Sequence, residues 1–257
     1  MVQSMWIRTT IISKKNTKPN GELYNMTTAT ATATKLSQET LEVLKNFASI
    51  NSNILVEPGN VIKTISPVKN VLAEAEVSET FDTQFGIWDL NKFLSTISLF
   101  TNPEFQFHNK YAIISGGNGS SVKYFYSEPN LLTTANKTLN MPEPVIDFEL
   151  TESDYTELLR AGSVLQLPDL TVRSTDVGAE MFVHDRKDVT SNSYSIDIKD
   201  LSGQEADFEF HFKVENLKMM SGNYQVSITD KVVSRFVNTT KTLTYWVALE
   251  SDSTYKG

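Results

Sequence analysis

The stretch TLEVLKNFASIN, residues 40–51, has the apolar spacing of an amphipathic helix. Apolar residues recur three or four positions apart and fall on one side of such a helix, namely Leu41, Val43, Leu44, Phe47 and Ala48. Polar residues recur at the same spacing on the opposite side, namely Gln38, Glu42, Lys45 and Ser49. Ser37 is the natural N-cap, because its side chain can accept a hydrogen bond from the first helical turn. The stretch therefore predicts a helix that packs one side on a core and keeps the other side in water.

Composition limits the classes of protein to which the chain can belong. Its 257 residues, 40% of them hydrophobic, suffice for one large domain or two of ordinary size. A net charge of -8 and a pI near 5.0 argue against a protein that binds nucleic acid over its whole surface, although a local basic surface stays compatible. The absence of cysteine excludes disulfides, thiolate metal sites and cysteine nucleophiles. No apolar run has the length of a membrane span.

Residues 1–25 differ in composition from the rest of the chain. Their basic side chains are Arg8, Lys14, Lys15 and Lys18, and their one acidic side chain is Glu22, so the remainder is more acidic than the whole. Met26 is an alternative translation start, and TTATATATK after it is of low complexity. We therefore expect residues 1–34 to be a disordered extension, part of which is untranslated if translation starts at Met26.

From Lys35 onward, helical and strand patterns alternate. WDLNKFLSTI, residues 88–97, predicts a second helix with Asp89 as N-cap, and TESD at Thr151 predicts the start of a third. VENLKMMSG, residues 214–222, predicts a short fourth helix. Between them, alternating apolar residues and glycine turns predict antiparallel strands. LNMPEPVIDFEL, residues 139–150, predicts a linker.

The second half of the chain repeats the order of patterns in the first. Aligning WDLNKFL with VENLKMM sets Asp89 against Glu215 and Lys92 against Lys218. A second alignment, of VLKN with LLRA, sets Lys45 beside Arg160. The recurring order of strand, acid and helix indicates an internal duplication in an α+β protein.

No motif in the sequence assembles a catalytic site. His108, His184 and His211 lack the spacing of a metal site, and we interpret them as ordinary surface residues on strands. GGNGSS, residues 116–121, lacks the lysine of a phosphate-binding loop and predicts a hairpin turn. VGAEMFVHDRKD, residues 177–188, holds carboxylates that suit a divalent-metal hydrolase but has no second acidic cluster. We therefore expect no catalysis, no metal and no cofactor.

Four stretches carry a resemblance to a known family. They are LSQETLEVLKNFASINSNIL, IWDLNKFLSTISLF, ENLKMMSGNYQV and the terminal YWVALESDST. Together they resemble the sliding clamps of T-even-type bacteriophages, the DNA polymerase processivity factors, over about residues 35–257. Ser221, where the family pattern has proline, and residues 255–257 depart from the resemblance.

The resemblance implies the architecture of the assembled protein. Two similar clamp domains, residues 35–140 and 151–257, would each hold antiparallel sheets and two helices, with residues 141–150 as the interdomain linker. Three subunits would close a homotrimeric ring with the helices inside, around duplex DNA. The DNA-facing residues would then be Lys45, Lys92, Arg160, Lys218, Gln38 and Ser49.

The resemblance also implies partners for the ring. A DNA polymerase, a clamp loader and a late-transcription factor would dock on it in the cytoplasm of the infected bacterial host, and no membrane would be involved. The polymerase would insert a short hydrophobic C-terminal peptide into an apolar groove. Our candidates for that groove are Met141, Pro142, Pro144, Val145, Ile146, Ala248 and Leu249, although interdomain core explains these residues equally well.

Two alternatives of other classes stay open. The chain is compatible with a two-domain structural or binding protein of a phage that closes no ring, and with a metal-dependent nuclease. Trp88 and Trp246 fall in strand patterns and predict core packing, not a single-stranded DNA groove, which needs several exposed aromatics beside cations. Retention on circular DNA distinguishes a ring from an open binder, and magnesium-dependent cleavage would reveal a nuclease.

Overall fold

The structure is a computed structural model that describes residues 33–135, 139–202, 206–230 and 232–257. The α-helices within these ranges are α1 (Gln38–Ile50), α2 (Leu90–Ile97) and α3 (Glu152–Leu165). We call the chain up to residue 140 the first half. Its strands are β1 (Ile54–Val56), β2 (Gly59–Ile65), β3 (Val71–Phe81), β4 (Phe85–Ile87), β5 (Glu104–Phe107), β6 (Tyr111–Ser115) and β7 (Ser121–Phe125).

The second half, residues 141–257, holds the other strands. They are β8 (Pro144–Leu150), β9 (Asp169–Thr175), β10 (Gly178–His184), β11 (Tyr194–Ile198), β12 (Asp207–Lys213), β13 (Tyr224–Thr229), β14 (Val233–Asn238), β15 (Leu243–Ala248) and β16 (Thr254–Lys256). Short 3-10 helices span Pro129–Leu131 and Val214–Asn216.

The three α-helices begin where the sequence predicts them, because each has the expected side-chain cap. Ser37 accepts a hydrogen bond from the Thr40 amide at 3.1 Å. Asp89 accepts one from the Lys92 amide at 2.9 Å. The third cap is the Thr151 hydroxyl, which accepts from the Asp154 amide at 3.1 Å. These bonds satisfy amide groups that have no partner inside a helix.

Antiparallel strands form four sheets, and one of them joins the two halves. The six-stranded sheet has the order β2-β3-β15-β14-β13-β8, so β3 of the first half pairs directly with β15 of the second. The first half adds a two-stranded sheet, β1-β4, and a three-stranded sheet, β5-β6-β7. The second half adds a five-stranded sheet, β11-β10-β9-β12-β16. The α+β class with antiparallel sheets is therefore confirmed.

Helices cover the core side of the sheets in both halves. In α1, Val43 and Phe47 are buried, and in α2 Phe93 is buried, while α1 contacts both α2 and β3. In the second half, α3 buries Tyr155 and Leu158 and contacts β10 and β11. The predicted hairpin turn at residues 116–121 is also confirmed, because it connects the paired strands β6 and β7.

Two predicted boundaries were wrong at the residue level. Thr34 was assigned to the N-terminal extension but pairs with Phe105, with two backbone hydrogen bonds of 2.8 Å. Residues 1–32 lie outside the described residues. The linker assigned to residues 141–150 contains β8, because Ile146 and Phe148 alternate into the core while the strand pairs with β13. The division into domains at 35–140 and 151–257 stays a prediction.

The predicted fourth helix was also wrong. Residues 214–216 make a single 3-10 turn, and the chain is then irregular up to β13. Side chains from other elements hold the backbone groups of residues 217–220 and so replace the hydrogen bonds of a helix. The described part of the second half therefore has one α-helix where the first half has two.

Candidate functional site

The polar side of α1 is exposed, as the sequence predicts. Gln38, Lys45 and Ser49 all lie on the exposed surface, and Gln38 donates a hydrogen bond to Glu42 at 3.1 Å. The helix rests on β3 through Glu79, which is 9% exposed and accepts hydrogen bonds from the Ser37 amide and the Thr40 hydroxyl. Burial alone would raise the pKa of Glu79, but these hydrogen bonds outweigh it and hold the pKa below its usual range.

Three of the predicted DNA-facing cations are exposed on the three α-helices, and none has an ion-pair partner among the described residues. Lys45 of α1, Lys92 of α2 and Arg160 of α3 are exposed. Among the described residues, none of the three forms an ion pair. Because α1 packs against α2, Lys45 and Lys92 belong to neighbouring helices. Free, solvated cations on adjoining helices are available to phosphate groups.

Lys218, the fourth predicted cation, is exposed but differently placed. Its ammonium group donates a hydrogen bond of 3.1 Å to the carbonyl of Ser49, in the last turn of α1. A cation at this end of a helix is favoured, because the unpaired carbonyl groups carry partial negative charge. Lys218 therefore links the second half to α1, a role that sequence reasoning missed.

Three buried tyrosines hold the segment around Lys218, and we call them the tyrosine cradle: Tyr155, Tyr224 and Tyr245. The Tyr155 hydroxyl donates to the carbonyl of Leu217 at 2.8 Å and accepts from the amide of Met219 at 3.1 Å. The other two hold Met220: the Tyr245 hydroxyl accepts from its amide at 3.1 Å, and the Tyr224 hydroxyl donates to its carbonyl at 2.5 Å. These bonds explain why residues 217–220 need no helix.

Burial keeps the hydroxyls of the tyrosine cradle protonated. It raises the pKa of Tyr224 to about 12, and it raises the pKa of Tyr155 and Tyr245 further. All three side chains therefore remain hydrogen-bond donors throughout the range in which proteins fold. No local sequence signal marks this arrangement, since the tyrosines lie on α3, β13 and β15, far apart along the chain.

The structure does not gather the predicted groove residues into one surface. Ile146 is 0% exposed and Leu249 is 8% exposed, so both belong mainly to the core. Pro142 is exposed, and Met141, Pro144, Val145 and Ala248 are partly buried. β8 and β15 are separated by β13 and β14, so three strand spacings of about 4.8 Å divide the two groups.

Ala248 and Leu249 instead bond to segments that carry two exposed valines, one in each half. The amide of Ala248 donates to the carbonyl of Asn70 at 2.8 Å, and the amide of Leu249 donates to the carbonyl of Val232 at 3.1 Å. Val68, in the first of these segments, is 77% exposed, and Val232 is 57% exposed. We give the name apolar turn surface to Val68, Val232 and Ala248, which these backbone hydrogen bonds bring near one another and to which both halves contribute.

The histidines are less ordinary than the sequence indicates. Thr171, on the central strand β9, contacts His184 Nε2 at 2.8 Å and His211 Nδ1 at 2.9 Å through its hydroxyl. His211 is 7% exposed and not a surface residue. Burial lowers the pKa of both His184 and His211. Beside them, Asp169 is 1% exposed and pairs with Lys213.

Trp88 and Trp246 differ in their exposure. Trp88 is 57% exposed, so its assignment to the core was wrong, whereas Trp246 is partly buried on β15. Within the described ranges, no cluster of three or more histidine, aspartate or glutamate side chains has the arrangement of a metal site. The helices in the same ranges are all too short or too polar to cross a bilayer.

Two family profiles match the chain, one in each half. The profile described as DNA polymerase processivity factor matches residues 35–106, and the profile described as gp45 sliding clamp, C terminal, matches residues 147–251. The fold agrees with them. The structure resembles PCNA from A. fulgidus, with a TM-score of 0.63 at 13% identity over 84% of this chain and 96% of that one. PCNA from Entamoeba histolytica gives a TM-score of 0.61 at 11% identity over 86% and 99%.

Curated relatives match along almost their whole length. The sliding clamp of Vibrio phage KVP40 is 30% identical over 84% of this chain and 99% of its own. The sliding clamps of Escherichia phage RB69 and Enterobacteria phage T4 are each 31% identical over 86% of this chain and 99% of their own. The chain therefore belongs to the family of sliding clamps, the DNA polymerase processivity factors, of T4-like phages.

Proposed function

We propose that three copies of this chain close a ring around duplex DNA, with the polar sides of α1, α2 and α3 facing the channel. The observation that carries the proposal is the set of exposed cations without ion pairs among the described residues, Lys45, Lys92 and Arg160. Gln38 and Ser49 lie on the same side of α1 as Lys45. The exposed side of α1 also carries Glu42, and the whole chain has a net charge of -8, so the proposal needs most of the acidic side chains to lie outside the channel.

This distribution of charge suits a tether that moves along DNA. Lysine and arginine contacts to phosphate are independent of sequence, whereas contacts to base edges would hold the ring at particular sites. Retention then comes from topological linkage, so individual contacts can be weak. An acidic outer surface repels DNA and discourages binding on the wrong face. The ring acts as an accessory to the polymerase and needs no catalytic group of its own.

Charge reversal tests the channel. Lys45→Glu with Arg160→Glu should lower clamp-stimulated synthesis by the cognate polymerase without changing the mass of the assembled protein. Lys110→Glu with Lys187→Glu is the matched control, because it changes net charge equally at two exposed loop positions. Equal stimulation by the two double variants at physiological salt would contradict the channel assignment.

The apolar turn surface is the proposed docking site for partner peptides. It consists of Val68, Val232 and Ala248, and it replaces the groove that we expected around Ile146, which is buried. The structure of A. fulgidus PCNA was solved with the C-terminal region of FEN-1 bound, which supports a peptide-binding role for clamps of this fold. We propose that the hydrophobic C-terminal peptide of the polymerase binds this surface. The clamp loader and a late-transcription factor are further proposed partners, in the host cytoplasm.

Peptide titration tests this surface. Val68→Glu and Val232→Glu should each weaken binding of the polymerase C-terminal peptide, measured by fluorescence anisotropy. Val177→Glu is the control, because Val177 is 99% exposed in the turn between β9 and β10. Unchanged affinity in the first two variants would move the site elsewhere.

A further inference from the structure

Among the described residues, two attachments between the halves consist of several hydrogen bonds each. The first is the pairing of β3 with β15, which continues one sheet across the chain. The second lies between α1 and the segment Leu217–Met220, where side chains from both halves exchange hydrogen bonds. A sheet that joins two halves through one pair of strands can still twist and bend between them. A second attachment away from the sheet restricts that motion.

Asn46 is the centre of the second attachment. Its side-chain amide donates to the carbonyl of Lys218 at 2.9 Å, and its side-chain oxygen accepts from the Tyr245 hydroxyl at 2.7 Å. One residue of α1 thereby satisfies a backbone group and a buried hydroxyl of the second half. Tyr245 is 0% exposed, so loss of the Asn46 side chain would leave its hydroxyl without this acceptor.

Two more contacts lie along α1, on either side of Asn46. The Lys218 ammonium group donates to the carbonyl of Ser49, as described above. Near the start of the helix, Lys241 pairs with Glu39 at 2.9 Å. Glu39, Asn46 and Ser49 are spaced by seven and three residues, so these contacts follow one flank of α1 between its buried and solvent sides.

We propose that Asn46, Tyr245 and Lys218 form an interdomain brace that fixes the angle between the two halves. The consequence for ring closure rests on the proposed function, because a ring of identical subunits closes only at one curvature. The angle itself is a property of the single chain. Lys218 is then a positioning residue, and its contribution to DNA binding is smaller than those of Lys45, Lys92 and Arg160.

Spin-label distances within one chain test the brace. The chain has no cysteine, so labels can be placed at Lys110→Cys in the first half and Asp176→Cys in the second, both exposed. An excess of unlabelled protein suppresses distances between subunits. Asn46→Ala and Tyr245→Phe should broaden the distance distribution, and the double variant should broaden it no more than Asn46→Ala alone, because the two groups act as one pair.

Tyr155→Phe and Tyr224→Phe are the matched controls. Each removes a hydroxyl that holds the same segment but that, among the described residues, bonds only to groups of the second half. These variants should leave the distance distribution unchanged even where they lower thermal stability, which separates bracing from general destabilisation. If Asn46→Ala fails to fold, the distance distribution of Tyr245→Phe still tests the brace.

Two outcomes would overturn the brace. One is an unchanged distribution in folded Asn46→Ala or Tyr245→Phe, and the other is equal broadening in the Tyr155→Phe control. Wild-type protein that stays monomeric contradicts the proposed ring, and the distances still test the brace in that case. If wild type is trimeric, loss of trimer in Asn46→Ala at concentrations where Tyr155→Phe retains it would support the link to ring closure.

Discussion

The carboxylate of Glu79 on β3 accepts a hydrogen bond from the hydroxyl of Thr40 in the first turn of α1. Glu79 also accepts a hydrogen bond from the Ser37 amide, so one buried side chain attaches the start of the helix to the sheet. Negative charge at this end of a helix is favoured by the helix dipole. The orientation of α1, and of Lys45 on its exposed side, therefore depends on a residue outside the helix.

Replacement of that carboxylate should destabilise the fold. Glu79→Gln should lower the free energy of unfolding by about 1.5–3 kcal/mol near neutral pH, the range for hydrogen bonds to charged groups. Because the folded-state pKa of Glu79 is depressed, the stabilisation is present above the ordinary value of 4.5 and lost as pH falls through the folded pKa. Urea denaturation of wild type and variant should converge in acid. The exposed Glu76→Gln is the control, and an equal loss there would contradict the assignment.

The buried His211 and the half-buried His184 should make stability depend on pH in a second range. Burial holds the pKa of His184 and His211 below 6.5, so the unfolded chain binds protons more readily than the folded one. Stability is therefore complete above pH 6.5 and decreases below it, by at most about 1.4 kcal/mol per pH unit for each histidine. Denaturation midpoints between pH 7 and 5 measure the slope. His184→Gln should reduce the slope, and an unchanged slope would refute this account.

The ion pair beside the histidines should be costly to break from one side. Lys213→Met leaves the carboxylate of Asp169, which is 1% exposed, without its cation. Removing one partner of a buried pair costs about 3–5 kcal/mol, and Lys213 is partly exposed, so we expect the lower end. Thermal or urea unfolding measures the loss. The exposed Lys199→Met is the comparison, and a similar small effect for both would show that the pair is unimportant.

The tyrosine cradle should contribute to stability through its hydroxyls. Tyr155→Phe removes the partner of the Leu217 carbonyl and the Met219 amide, at a cost of about 1–3 kcal/mol for unsatisfied buried groups. Tyr194→Phe is a matched change, because its hydroxyl donates to Glu157 at the surface. Equal unfolding free energies for the two variants would show that the cradle does not hold the segment.

Local patterns sufficed for much of the fold. The starts of α1, α2 and α3 could be predicted because each depends on a capping residue within three positions of its partner amide. The apolar spacing of residues 40–51 likewise identified which side of α1 is exposed, and hence Lys45. Such signals are carried by neighbours in the sequence and need no knowledge of the fold.

Three of the wrong predictions involve partners distant in the sequence. Residues 214–222 have helical apolar spacing, but backbone groups among them form hydrogen bonds with the hydroxyls of Tyr155, Tyr224 and Tyr245 instead of with one another. β8 reads as a linker because of its prolines and becomes a strand because β13 offers a pairing edge. The contact of Thr171 with two histidines likewise arises only when β9, β10 and β12 align.

Retention on DNA of different topology tests the central claim most directly. The full chain, the cognate clamp loader and ATP are incubated with a labelled nicked DNA circle, and protein bound to DNA is separated by gel filtration. The ring predicts that clamp co-elutes with the circle and is lost when one restriction cut makes the same molecule linear. Equal retention on circular and linear DNA would contradict encirclement. So would the absence of retention on both DNAs if the same protein still stimulates the polymerase.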